Sequence, residues 1–596
     1  MPVSLRWAAR PVLAGARWPG SAGAAASAVS APSAAGARSG WVRRLRAYWL
    51  APPGLAVLAA TLVALALRLY TLTRPGYLTG VTEYDDGVYL GAAIRLLGGS
   101  LPYHDFAFVQ PPGIALLMAP VAVLGKLGPA THAMAAARLL TVAASTACVP
   151  LAGSLVRYRG TLVTVVTCGV LAVYPDDVTT AHTLILEPWL NVCCLLGACL
   201  AFRRGRLASP RRLLWAGVAI GFGGAVKYWA ALPAIALLAV CLLSGDRAGR
   251  GARPRRAGWY SLGVAAGFVV PVLPFFAAAP AAFVRSTLFD QAARAGSYVP
   301  VSLRLAHLTG LIDVLSGGGH FTLTAGSHSM FASGGAAATS TASAGWLPFV
   351  VALLAAAVLA LGYAWEPRRR TPLEWYALVT AVAAVVAVLG YSAFFYHYPA
   401  FAAPWLALSA GGAVGALASA LAGRPLARRA VAGCCAAVVL GVAVLQAAEL
   451  SGLRAPDIYP DEALIPPGSC VVTDEISLAI AASRFTATRP GCPEVLDSLA
   501  QTLVLSNGVS VQGGAASLPH AVAAWQSILS RATYVWLSPN NARRIPWTPA
   551  LTSWFAANFQ PLYTHGQGGG VGQVYERRLP SPPPGPGERP GRYAPR

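Results

Sequence analysis

The run APPGLAVLAATLVALALRLYT, residues 51–71, decides what kind of chain this is. It carries one charged side chain, Arg68, in 21 positions. At 1.5 Å per residue, a helix of about 20 apolar residues crosses the ~30 Å hydrocarbon core of a bilayer. Similar blocks recur along the chain, separated by short Arg-rich punctuation. Of the 596 residues, 56% are hydrophobic and only 11% charged, where a soluble domain carries about 25% charged residues. These features describe an α-helical polytopic membrane protein, multi-pass in the cell membrane, with the lipid bilayer as its solvent. The net charge of +23 does not point to nucleic acid, because there is no basic domain with interleaved aromatics. The Arg residues sit in short loops between apolar blocks, the pattern that sets membrane orientation.

Orientation follows from those charges. Arg43, Arg44 and Arg46 precede the first span, so the N-terminus is read as cytoplasmic. The apolar run 111–127 offers a choice. As a span it would put Arg157 and Arg159 outside and invert the next four loops. As an interfacial helix it leaves every Arg cluster inside. It is short and opens Pro111-Pro112-Gly113, so the interfacial reading is adopted. Ten further spans follow, at 132–155, 160–175, 185–202, 212–226, 228–244, 258–279, 346–365, 373–395, 401–421 and 429–447. That makes about eleven transmembrane helices. The half-length pair 212–226 and 228–244, joined at Lys227, has the weakest pattern.

The flanking segments complete the plan. Residues 1–47, rich in Ala, Gly, Ser and Arg, read as a disordered cytoplasmic tail; the same Arg/Ser bias is found in transit peptides. Residues 48–447 form the transmembrane domain, with substantial outer segments at 72–131 and 280–345. Within the second, Gly317–Ser343 is Gly/Ser/Ala/Thr-rich and reads as a mobile loop. Residues 448–579 read as a small extracytoplasmic α/β domain, and 580–596 as a disordered Pro/Gly-rich tail. Strand-like runs stand at 470–473, 534–537 and 573–575, with helical patterns near 476–484 and 519–532. Trp525, Trp536, Trp547 and Trp554 read as core or interface side chains there, with sugar stacking as the other use.

Of ten cysteines, eight fall in apolar segments, including the Cys193-Cys194 and Cys434-Cys435 doublets, and read as small apolar filler. Cys470 and Cys492 lie in the polar C-terminal region, as a disulfide or as two thiols. No Cys/His spacing of metal-site type occurs.

The chemistry is carried by the first outer segment: Glu83-Tyr84-Asp85-Asp86-Gly87-Val88-Tyr89, continuing to Arg95. Two adjacent acids beside a span are costly, and such groups are functional candidates by default. The plain reading is that Asp85 or Asp86 caps the helix 87–97, since Asp is a favoured N-cap. One acid suffices for that, which leaves the other to explain.

These residues resemble the GT-C membrane glycosyltransferases that use polyprenyl-phosphate sugars, in particular the protein O-mannosyltransferases and lipid A aminoarabinose transferases. Asp85-Asp86-Gly87-Val88-Tyr89 is similar to their Asp-(Asp/Glu)-x-x-Tyr motif. Arg95, the helix 111–127, Glu187-Pro188, the stretch Gly221–Lys227 and His397-Tyr398 with Pro404 follow in the family's order. The resemblance covers about residues 51–405. It implies a GT-C-like fold and an inverting glycosyltransferase. The enzyme moves a sugar, mannose in many relatives, from a polyprenyl-phosphate donor to a glycan, lipid or protein acceptor outside the membrane. By resemblance, Asp85 is the general base and Asp86 orients it or the acceptor. Lys227, Arg294 and Arg95 are candidates for the donor phosphate, and Tyr89, Gln110, Glu187, Gln291 and His397 for the substrates.

Each candidate also has a plain reading. For Lys227, one of only two lysines, the plain reading is a lysine that snorkels to the interface, and the functional reading is preferred. For Arg294 the plain reading is a solvated helix face. Asp176-Asp177 fits a polar turn as well as a ligand or acceptor contact, and His104 is more simply structural than an acid/base group. The aromatic run Tyr391–Tyr398 reads as an interfacial belt.

In some relatives a Glu and a His bind a metal. The matching positions here are Gln110 and Gln291, poorer ligands, so no cofactor is expected. The Arg-over-Lys bias points to a GC-rich bacterial genome and hence to a polyprenyl donor. Two other classes are polytopic as well. A transporter or flippase of lipid-linked intermediates would show repeated halves, and none is seen. A non-catalytic scaffold would not need Asp85, Asp86, Lys227 and Arg294 to converge on one cavity.

Overall fold

Helices stand at all eleven predicted spans in the computed structural model. It describes residues 50–244, 252–292, 299–310, 347–365, 370–421, 423–488, 490–538, 544–562 and 572–578. The predicted tails 1–47 and 580–596, the stretch Gly317–Ser343 and Arg294 lie outside the described residues. In chain order the principal helices are α1 (Pro52–Leu72), α2 (Tyr84–Leu97), α3 (Gly113–Ala122), α4 (Ala130–Val156), α5 (Thr161–Ala172), α6 (Leu186–Ala201) and α7 (Pro210–Val226). There follow α8 (Ala231–Leu243), α9 (Ala252–Ala278), α10 (Leu347–Trp365), α11 (Pro372–Gly390), α12 (Pro399–Leu417) and α13 (Pro425–Leu450).

Among the described residues, six helices are long and apolar enough to cross a membrane: α1, α4, α9, α11, α12 and α13, some extended by a turn. Several open on proline at the first turn (Pro52, Pro372, Pro399 and Pro425), where the missing N–H has no helical partner to lose. α11 adds a capping box between Thr371 and Glu374. The half-length pair resolves into α7 and α8, separated by a single 3₁₀ turn at Tyr228–Ala230. α7 is held against α9 by small residues. Gly217 and Gly221 face Tyr260–Phe268, and a Cβ added at either would collide with α9 backbone. Close approach of small-xxx-small faces is how helices pack without a hydrophobic drive between them.

The C-terminal region carries a four-stranded sheet of β1 (Val471–Thr473), β2 (Tyr534–Leu537), β3 (Phe559–Pro561) and β4 (Gln573–Arg577), ordered β1-β2-β4-β3. β1 pairs parallel to β2, with Val472 opposite Val535; the other pairs are antiparallel, with Val535 opposite Tyr575 and Gln560 opposite Glu576. β3 is absent from the sequence expectation, being three residues that include Pro561 on an edge strand. Helices α14 (Ile476–Ala481), α15 (Ser498–Leu505), α16 (Pro519–Arg531) and α17 (Pro549–Asn558) accompany it. Trp525 and Trp536 are fully buried. Cys470 and Cys492 form a disulfide, with Cα atoms 5.5 Å apart.

This region does not stand apart from the helices, since Ala51–Arg596 cluster as one compact unit. One apolar core joins Val88, Ala92 and Ile94 of α2 and Ile114 and Met118 of α3 to Ile476, Leu478, Ile480, Phe485 and Leu496. The contact is close because α2 offers glycines there. A Cβ on Gly87 would collide with the Ser477 backbone, and the Gly87 N–H donates to Ser477 Oγ at 3.0 Å.

Candidate active site

The start of α2 sorts its acids by backbone geometry. Glu83, in extended conformation, is the N-cap, and its carboxylate accepts from Tyr84 N at 3.0 Å. The expectation that Asp85 or Asp86 caps this helix is therefore overturned. A cap must sit before the first helical residue, and both Asp residues lie inside the first turn. Consecutive helical residues diverge by about 100° around the axis, so the two side chains leave in different directions.

Asp85 is half-buried and lines a cavity of about 140 Å³. It accepts from Tyr89 Oη, one turn on, at 3.1 Å. Asp86 is buried away from that cavity. It accepts from Arg138 Nη2 at 2.6 Å and from Leu184 N at 2.5 Å. It thereby ties α2 to α4 and to the turn before α6.

Lys227 ends α7. Its ammonium is buried, donates to Glu187 Oε1, and lies 4.4 Å from the Tyr398 ring centroid and 5.1 Å from that of Trp229. The other Glu187 oxygen is 2.9 Å from His397 Nδ1. A cation so deep is held by a carboxylate and by aromatic faces. Lys227 and His397 line the same cavity as Asp85, as do Tyr89 and Gln110. The aromatic run contributes Phe395, Tyr396 and Tyr398 to the wall, and Tyr396 Oη donates to Glu83 Oε2 at 2.8 Å.

Other candidates fall elsewhere. Arg95 pairs with Glu494 at 3.1 Å and stacks on Phe485, outside the cavity wall. Gln291 braces the segment before α3, donating to Val109 O at 2.8 Å. Asp177 pairs with Arg68 at 2.5 Å and Asp176 stands 3.3 Å from His307, both buried in the packing. Burial raises the Asp176 carboxyl despite the neighbouring His307. His104 is exposed beside Asp105. Among the described residues no group of three His, Cys, Asp or Glu side chains is placed to share a metal ion.

The sequence reading missed the C-terminal share of the wall: Asp497, Leu499 and Arg544. Asp497 is the N-cap of α15, accepting from Ala500 N at 2.9 Å, and also accepts from Tyr84 Oη at 2.7 Å. The Arg544 guanidinium lies 4.0 Å from the Tyr84 ring centroid and donates to Glu475 Oε2 at 2.9 Å. Burial pushes the Glu475 carboxyl up to about 8 against the pull of Arg544. Asp497 in Asp-Ser-Leu-Ala signals a helix cap and nothing more. No local signal marks Arg544.

No protein-family model and no curated protein matches the chain in sequence. The architecture does match solved structures. ArnT from Cupriavidus metallidurans, solved bound to undecaprenyl phosphate, superimposes with a TM-score of 0.52 over 90% of this chain and 98% of that one, at 16% identity. The Archaeoglobus fulgidus oligosaccharyltransferase gives 0.48 with Zn and sulfate (13% identity, 81% of this chain and 68% of that one). With a tethered acceptor peptide it gives 0.49 (13% identity, 87% and 74%). The chain shares the fold of ArnT, the GT-C-like architecture.

Proposed function

We propose that this protein is an inverting glycosyltransferase. It would move a sugar from a polyprenyl-phosphate donor to an acceptor hydroxyl on the extracytoplasmic face of the membrane. The observation that carries the reading is that a carboxylate, Asp85, and a buried ammonium, Lys227, line one cavity of a GT-C fold. A scaffold has no use for that convergence. The undecaprenyl phosphate in the structure of ArnT supports a lipid phosphate as the carrier.

In this mechanism the acceptor hydroxyl attacks the anomeric carbon from the face opposite the phosphate. Asp85 takes the hydroxyl proton as the new C–O bond forms. The bond from the anomeric carbon to the phosphate oxygen breaks, and its electron pair leaves with polyprenyl phosphate. Lys227 answers the charge that develops there, in a site where water screens little. Tyr89 holds Asp85 in place, and Glu187 with His397 fixes the ammonium. Gln110 is a substrate contact. Asp86, Arg95 and Gln291 act behind the wall. The reading gives no metal a part. Mannose is the first sugar to try.

Sugar transfer in membranes from radiolabelled polyprenyl-phosphate mannose, wild type against Asp85→Asn, tests the reading. Asn keeps the shape and cannot accept the proton. A loss of about 10²–10⁴-fold is expected, with the protein still folded. Undiminished transfer by the variant would place the base elsewhere. No transfer by the wild type from any of several lipid-linked sugars would end the reading.

A further inference from the structure

The cavity has two walls of different origin. One comes from the helices and their connections: Asp85, Tyr89, Gln110, Lys227 and His397. The other comes from the C-terminal region, where Asp497, Leu499 and Arg544 reach the same space. These are built positions. Asp497 is fixed by its cap and by Tyr84, and Arg544, 8% exposed, is fixed by Glu475, the Asp474 carbonyl at 3.2 Å and the Tyr84 ring. The helical wall already supplies the base and the phosphate cation, so the second wall is available for the acceptor.

We infer that the acceptor is an uncharged glycan, its hydroxyls read from the C-terminal wall by Asp497 and Arg544. This rests on the glycosyltransferase reading and names its substrate class.

Charge argues for it first. Among the described residues the lining holds three acids, Glu83, Asp85 and Asp497, against two cations, Lys227 and Arg544. Lys227 already carries an acid from behind, Glu187, so the acids outnumber the cations. An acceptor bearing phosphate or carboxylate would add like charge where screening is weak. A neutral polyol adds none.

Hydrogen-bond chemistry argues for it next. Carboxylates accept from sugar hydroxyls, and a guanidinium presents a planar fork of donors to vicinal oxygens. The lining aromatics, among them Tyr84, Tyr396 and Tyr398, offer flat faces to the C–H side of a sugar ring.

The test uses the purified full-length protein with polyprenyl-phosphate mannose as donor. Two acceptors are compared, a neutral methyl hexoside and the same hexoside phosphorylated at O6. The neutral acceptor is expected to show a kcat/KM at least about tenfold higher. Arg544→Gln and Asp497→Asn are expected to raise its KM about tenfold, the loss of one hydrogen bond to a charged group, with Arg544→Lys recovering part. Binding of undecaprenyl phosphate should stay within about twofold of wild type in the same variants, which also reports their folding. Equal or better use of the phosphorylated acceptor would overturn the inference and leave the transferase standing. So would an unchanged acceptor KM in variants that still bind undecaprenyl phosphate. Consumption of no donor with either acceptor, when several lipid-linked sugars are tried in turn, would overturn the transferase reading, and this inference with it.

Discussion

Asp86 and Arg138 form a buried pair, the carboxylate accepting from Nη2 at 2.6 Å and Nε at 3.2 Å, with both side chains almost wholly removed from solvent. Arg138 also donates to the carbonyls of Tyr77 and Gly80, so this one pair anchors the chain that leads into α2. In the sequence Asp86 looks like the twin of Asp85. In the fold the two have separate work.

Breaking such a pair leaves an uncompensated buried charge, at a cost of about 3–5 kcal/mol. Asp86→Asn and Arg138→Gln are expected to lower the thermal unfolding midpoint in detergent. Transfer per folded molecule should fall less than in Asp85→Asn. A variant as stable as wild type but equally inactive would instead put Asp86 in the chemistry.

Lys227→Gln removes the ammonium and leaves Glu187 buried without it. Titration with undecaprenyl phosphate in nanodiscs is expected to show affinity weakened by about tenfold or more, since a charge-assisted contact is lost. Lys227→Arg should recover part of it. Unchanged affinity in the Gln variant would remove Lys227 from the phosphate site.

Gly87→Ala places a methyl group against the Ser477 backbone nitrogen, its nearest neighbour, which cannot turn aside as a side chain can. Overpacking of this kind costs about 1–3 kcal/mol. The C-terminal region is expected to loosen from α2, and hydrogen exchange should show lost protection across residues 474–482. Protection equal to wild type would mean that the contact is easily remodelled.

The Glu475 carboxyl, raised by burial to about 8, makes stability depend on pH. Between its ordinary value near 4.5 and about 8 the folded protein holds a proton that the unfolded chain has lost. Stability from this group is therefore fully present below pH 4.5 and drains away as pH rises to about 8. Thermal unfolding from pH 5 to 8 should show a falling midpoint in wild type and a flatter profile in Glu475→Gln. Matching slopes in the two proteins would mean that Glu475 is ionised throughout.

Much of the fold is legible in the chain because its signals are local. A run such as residues 51–71 has one favourable state in a bilayer, a helix, since every backbone polar group must be satisfied within the segment. Arg punctuation divided the rest into the spans where helices stand, down to the short α7 and α8. The runs at 534–537 and 573–575 carried β-branched and aromatic residues and form strands. β3 left no such mark, because three residues including Pro561 acquire strand geometry only by pairing with β4.

The site was legible in part. Asp85, Tyr89, Gln110, Lys227 and His397 are singled out by the resemblance to the GT-C glycosyltransferases, and their side chains meet in one cavity. That meeting is a property of the packed helices. So is the parting of Asp85 from Asp86, which follows from where α2 begins and which neighbour each faces. Glu83 took the cap because the chain is extended there. Arg544 lies more than four hundred residues from Tyr84 in sequence and 4.0 Å from its ring in space. By itself the sequence determined a bilayer-spanning helical chain with acids at the head of α2, because hydropathy and capping act within a few residues. Only the tertiary structure decided which acid faces the cavity and what stands across from it, because long-range contacts are set by the packing of the whole molecule.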